Sequence, residues 1–103
     1  MLKLNIIGAG KVGRTLARLW TQHRVFAVQD LLTAHATSAA AAIEFIGAGR
    51  AAGSIPAMRV AEVWLLTLPA DRLAQCCERL VSCALVQAGD VVFHCSASQT
   101  AAE

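Results

Sequence analysis

Three glycines stand at the spacing G-x-G-x-x-G in Gly8-Ala9-Gly10-Lys11-Val12-Gly13, directly after the apolar run Leu2 to Ile7. Each has a distinct use at that spacing. Gly8 can take a positive φ at little cost and so turn the chain sharply out of a strand. Gly10 has no Cβ to hold a phosphate away from the backbone, and Gly13 lets a helix pack closely on the strand it follows. The start of that helix offers unpaired N–H groups and about half a positive charge, which suits a diphosphate. On this reading Gly8, Ala9, Gly10, Lys11, Val12 and Gly13 hold the pyrophosphate of a dinucleotide. A ligand-free strand-to-helix connection is the competing reading, but it needs one glycine rather than three. Nucleoside triphosphate hydrolysis is disfavoured because Lys11 precedes the last glycine instead of following it. S-adenosylmethionine loops usually lack the third glycine that is present here. Arg14, in the first helical turn, opposes the helix dipole; it fits either a phosphate partner or a solvated surface position.

A dinucleotide site also needs a group for the adenosine ribose, found about 20 residues further on at the end of the second strand. Asp30 lies 22 residues after Gly8. If the second strand ends at Val28, Asp30 is placed to accept from the 2′-OH of NAD. If the strand runs on through Leu32, its tip is Thr33-Ala34-His35, whose hydroxyl and imidazole favour the 2′-phosphate of NADP. The weight falls on NADP, with NAD the alternative. Candidates for proton transfer are few. His94 is of a type that can serve as a general acid or base and Ser96 can orient a carbonyl, while a structural His and a turn Ser are the plainer readings. Cys76, Cys77, Cys83 and Cys95 contain no C-x-x-C and read as reduced apolar residues; no metal site is expected.

The elements that must position these residues follow from periodicity. Leu2 to Ile7 suits a buried parallel strand, and Val12, Leu16, Leu19 and Trp20 repeat at helical spacing up to about His23. Val25 to Val28 opens a second strand. Thr37 or Ser38 can cap a helix through Ala39 to Ile46 that Gly47 and Gly49 end. Gly53-Ser54-Ile55-Pro56 is at most a weak third strand, since proline confines it to an edge or an end. Glu62 to Leu68 is a buried strand stopped by Pro69, Asp71 is a plausible helix N-cap, and an apolar stripe from Leu73 runs to about Gln87. Val91 to Cys95 is a fifth strand. The order β-α-β-α-β-β-α-β predicts an α/β fold: a doubly wound parallel sheet of about five strands with helices on both faces.

With 103 residues the chain makes one domain, 1–103. It is 56% hydrophobic, but 21 residues are alanine, and the longest uncharged stretch, 31–43, is too short and too polar to span a bilayer. A net charge of +2 without a charge block argues against nucleic-acid and anionic-membrane partners. The amino terminus lacks the pattern of a signal peptide, so a cytoplasmic location is expected.

Three segments together resemble a known group. Ile6-Ile7-Gly8-Ala9-Gly10-Lys11-Val12-Gly13, Trp64-Leu65-Leu66-Thr67-Leu68-Pro69-Ala70-Asp71 and Val91-Val92-Phe93-His94-Cys95-Ser96 are similar to the amino-terminal half of Rossmann-like oxidoreductases. These include the pyrroline-5-carboxylate reductase, deazaflavin-dependent NADP reductase and 6-phosphogluconate dehydrogenase groups. The resemblance covers nearly the whole chain. It implies an NAD(P)-binding domain of an oxidoreductase or dehydrogenase that moves hydride between nicotinamide and a small substrate. It implies that Leu68 and Pro69 border the adenosine or nicotinamide riboside and that Ser96 faces the nicotinamide side. Such relatives carry a further helical domain for substrate contacts and dimerisation, which this sequence does not show, and they continue Ser-Gly where Ala97 follows Ser96. A catalytically incomplete cofactor domain that forms homodimers is therefore expected. A non-catalytic dinucleotide-binding module, or a remnant that self-associates, is the alternative.

Overall fold

The computed structural model of the chain describes residues 1–8 and 10–94. Its elements are β1 (Lys3–Ile7), α1 (Lys11–Gln22), β2 (Ala27–Leu32), α2 (Ala36–Ile46), β3 (Arg50–Ala51), a single 3-10 turn (Ile55–Ala57), β4 (Val63–Leu66), α3 (Ala70–Ser82) and β5 (Val91–His94). The five strands are all parallel, in the order β3-β2-β1-β4-β5. The chain therefore moves outward from β1 in one direction, returns, and continues from β4 in the other. This is the doubly wound arrangement expected from the sequence.

The two faces of the sheet are covered by different elements. Leu4, Ile6, Leu31, Val63 and Leu65 point to one face, where Ala17 of α1 and Ala39, Ala42 and Ile46 of α2 cover them. Small residues on both helices let them lie close to the strands. Ile7, Trp64 and Leu66 point to the other face, against Cys76 and Leu80 of α3, Leu85, and Met58 and Ala61 of the connection before β4. The β4 residues Val63, Trp64, Leu65 and Leu66 are all buried, because a central parallel strand is covered on both sides.

Several boundaries differ from the sequence reading, each for a local reason. β2 starts at Ala27 rather than Val25, because α1 ends in a left-handed residue, Arg24 (φ 56°), and the Val25 amide donates to Trp20 O at 2.8 Å. Val25 is thus spent closing the helix. α3 stops at Ser82, short of Gln87, by the same device: Ala84 (φ 57°) is left-handed and the Leu85 amide donates to Leu80 O at 3.0 Å. That turn drives Leu85 into the core although the apolar pattern in the sequence continues past Ser82. β3 is Arg50–Ala51, not 53–56; Pro56 instead falls in the 3-10 turn, where its missing N–H costs nothing. α2 begins at Ala36 with His35 as N-cap, not Thr37 or Ser38, and α3 begins after Pro69, which leaves Asp71 in its first turn. Gly47 (φ 88°) ends α2 as its position suggests. Among the described residues no helix is long and apolar enough to cross a membrane.

Candidate functional site

At the carboxyl ends of β1 and β4, where the strand order reverses, the glycine turn is built around one threonine. The Thr67 amide donates to Ile7 O at 2.8 Å and so places Thr67 beside the turn. A Cβ on Gly8 (φ 102°) would come 2.4 Å from Thr67 O, and one on Gly13 would come 2.0 Å from Thr67 Cγ2. Neither position can carry a side chain without displacing Thr67. Gly10 is different: a Cβ there would meet Thr67 Cβ at 3.7 Å, an ordinary contact. The protein's own packing thus accounts for two of the three glycines and leaves the third unexplained by any neighbour among the described residues.

The Gly10 amide donates to Thr67 Oγ1 at 3.2 Å, and Gly10 O accepts from the Arg14 amide at 3.0 Å. No side chain caps α1 and no acidic residue lies in its first turn. Among the described residues the amides of Lys11, Val12 and Gly13 have no hydrogen-bond acceptor. Of the sequence candidates, Gly8 and Gly13 are buried, Gly10 is half-buried, and Lys11 and Val12 are exposed. Ala9 and Ser96 lie outside the described residues.

Next to the turn a cavity of about 410 Å³ opens between β1, β2, α3 and the β3–β4 connection. Ile7, Leu32, Leu68 and Cys76 give it apolar surface, and Gly8 and Thr33 lie at its strand-tip side. Burial pushes the Cys76 thiol up, so it stays neutral. Leu68 lines the cavity, while Pro69, at the N-cap of α3, is exposed and is not among its lining residues. Thr33 is the residue at the tip of β2, tied to the glycine turn because the Gly8 amide donates to Leu32 O at 2.7 Å. Its hydroxyl donates to His35 O.

Asp30 is not at that tip, the position from which it would accept from a ribose 2′-OH; β2 takes the other expected course and runs on through Leu32. Because β2 continues to Leu32, Asp30 is inside the strand and fully buried. Its carboxylate accepts from the Arg59 amide at 2.7 Å and from the Arg59 guanidinium at 2.8 Å, and it pairs with Arg50 Nε at 3.2 Å. Burial alone would raise its pKa. The hydrogen bonds from Arg59 and the charges of Arg50 and Arg59 outweigh burial and hold the carboxyl below its ordinary value. Asn5 completes the cluster: its Oδ1 accepts from the Asp30 amide at 3.1 Å and from Gln29 Nε2 at 3.0 Å, where the β1–β2 register is bulged. Asp30 locks β2, β3 and the β3–β4 connection together and has no lone pair facing a ligand.

Arg14 turns from the glycine site: its guanidinium lies 5.6 Å from the Phe45 ring of α2, with Arg18 on the same ring at 4.8 Å. His94 is exposed and closes β5 at the same end of the sheet, opposite Leu66. Sequence reasoning missed Thr67, whose signal was a small β-branched residue at the end of the strand next to the glycine turn. It also missed Arg59, for which no local pattern existed.

The model for the Rossmann-like domain family matches residues 1–102. The chain belongs to that family. No curated protein matches its sequence significantly. Among solved structures, this Rossmann-like domain is similar to a Bacteroides fragilis protein described as an NADP oxidoreductase. The TM-score is 0.78 at 15% identity, over 94% of this chain and 36% of that one. It is also similar to arogenate dehydrogenase of Synechocystis, with a TM-score of 0.73 at 17% identity over 91% of this chain and 32% of that one. A Mycobacterium avium oxidoreductase gives a TM-score of 0.66 at 23% identity, over 99% of this chain and 36% of that one. The Rossmann-like domain therefore spans about a third of the length of these relatives, and at such identities the likeness establishes the fold.

Proposed function

We propose that the chain is the NAD(P)-binding domain of an oxidoreductase, with the cofactor's pyrophosphate over Gly10 and the first amides of α1. The observation that carries this is Gly10, where a Cβ would meet only ordinary contacts and where, among the described residues, the amides of Lys11, Val12 and Gly13 have no acceptor, whereas Gly8 and Gly13 are already explained by Thr67. The adenosine half then rests in the cavity beside Leu68 and Thr33, and the nicotinamide half extends over β4 and β5 toward His94. Bound nicotinamide would supply the hydride chemistry; the protein's part is to hold it and exclude water. Proton transfer and substrate contacts are completed by groups outside this domain, in keeping with its share of its relatives' length. NADP is the favoured form, because Asp30, the carboxylate that would have bound the 2′-OH, is used up inside the sheet.

Calorimetric titration with NADPH and NADH tests the reading, and saturation by neither overturns it. Gly10→Ala should leave the fold intact, since its Cβ fits against Thr67, yet weaken dinucleotide binding by about tenfold or more by pushing the diphosphate off the amides. Unchanged affinity in that variant would remove Gly10 from the site.

The homodimer is proposed to form through β5. This strand exposes Val91 (46%), Val92 (41%) and Phe93 (40%), and among the described residues it pairs through one edge only, with β4. Such edges join other strands readily. Sedimentation should show a dimer at tens of micromolar that Phe93→Lys dissociates; a parent chain that is monomeric at that concentration excludes it.

A further inference from the structure

We infer that Arg72 and Arg79 of α3, and not the tip of β2, select a phosphorylated adenosine ribose, so that the cavity prefers NADP to NAD. This rests on the dinucleotide reading above and adds to it the residues that discriminate.

The wall of the cavity formed by α3 consists of Arg72, Gln75, Cys76 and Arg79. Spaced three and four residues apart, these share one helix face, while Asp71 and Glu78 are rotated about 100° away on the next. The result is a cavity with two guanidinium groups and, among the described residues, no carboxylate in its lining. Neither arginine is in a salt bridge among the described residues, where the ion pairs belong to Arg50 and Arg59, both on Asp30. Two exposed cations on one wall, unmatched by acid, favour an anion that enters between them and the strand tips.

The hydrogen-bond inventory points to the same group. A phosphate monoester offers acceptors and needs donors. At the tip of β2 the Thr33 hydroxyl already donates its proton to His35 O, so it can accept but not donate. That suits a ribose hydroxyl and does nothing for a phosphate. The ten N–H donors of two guanidinium groups lie across the cavity on α3, and the Ser54 hydroxyl, with no hydrogen-bond partner among the described residues, borders the same space. The tip of β2, where many dinucleotide sites carry an acid that repels a 2′-phosphate, holds Thr33, and the nearby carboxylate of Asp30 is buried further back in the strand and paired with two arginines.

The test compares NADPH with NADH, and 2′,5′-ADP with 5′-AMP, by calorimetry on the full chain and on Arg72→Ala, Arg79→Ala, the double variant and the two Lys replacements. Both side chains are exposed, so circular dichroism and melting should match the parent. The parent should bind NADPH about tenfold or more tightly than NADH, with a steeper salt dependence. The double variant should lose that ratio by weakening NADPH and 2′,5′-ADP alone, and Lys should restore part of it. Equal binding of the two dinucleotides, or a preference for NADPH that survives both substitutions, overturns the role of α3 and leaves dinucleotide binding standing. Absence of binding by either dinucleotide overturns the underlying reading.

Discussion

Gly13→Ala should destabilise the domain by about 2 kcal/mol, the reverse of what this substitution does in an ordinary helix. In an exposed helix interior, replacing Gly by Ala gains about 1 kcal/mol from the lower backbone entropy of the unfolded chain. Here the new methyl would lie 2.0 Å from Thr67 Cγ2 and 3.0 Å from Thr67 Cβ, so α1 must lift off β4 or Thr67 must abandon its rotamer. Overpacking of this kind costs typically about 1–3 kcal/mol, and occasionally more. Because α1 carries the amides of the glycine turn, a shifted helix should weaken cofactor binding as well. Thr67→Ser removes Cγ2 while keeping the hydroxyl that accepts from the Gly10 amide. In a double-mutant cycle read by urea midpoints, Gly13→Ala and Thr67→Ser should therefore couple favourably by about 1 kcal/mol. A Gly13→Ala chain as stable as the parent would show that Thr67 does not set the height of the helix.

Asp30→Ala should cost about 2–3 kcal/mol. Removing one partner of a buried pair typically costs about 3–5 kcal/mol when the other charge is stranded out of water. The guanidinium side chains of Arg50 and Arg59 are 55% and 54% exposed, so water screens what is left and the loss falls below that range. The Arg59 amide also loses its acceptor, which Asp30→Asn would keep; that variant should cost less. The pH dependence has a definite sign. The folded-state pKa of Asp30 lies below its unfolded value of about 3.9, so its contribution is complete above about pH 5. As pH falls the unfolded chain takes up the proton first, stability declines, and the contribution is gone once the folded carboxyl is protonated as well. Unfolding midpoints at pH 7, 5 and 3 should converge between parent and Asp30→Asn as the pH drops. Exposed Glu62, lowered by its hydrogen bond from the Lys3 amide, follows the same direction in both proteins. Since Asp30 faces no ligand, Asp30→Asn should bind NADH as the parent does; a selective loss of NADH with unchanged stability would return Asp30 to the cofactor site.

These two predictions concern the same physical arrangement from opposite sides. Thr67 sets how near α1 comes to the sheet, and Asp30 holds the β2–β3 side in place. A chain whose glycines face a ligand must still provide its own internal contacts around them.

Much of this was present in the linear order of residues. Apolar runs alternating with helical stripes required a doubly wound parallel sheet, because strands of that kind must be covered on both faces and only crossover helices can do it. The glycine spacing after the first strand located the candidate phosphate site for the same local reason, since backbone freedom and helix-end charge are properties of a few consecutive residues. What depended on distance along the chain was decided by the tertiary structure alone. Whether Asp30 met a ligand or a guanidinium turned on Arg59, 29 residues away, and on a strand that ended at Leu32 rather than Val28. Which glycines were filled by protein turned on Thr67, brought beside the turn by the pairing of β1 with β4. Periodicity reports which face of an element is apolar; it carries no record of which remote side chain that face will meet.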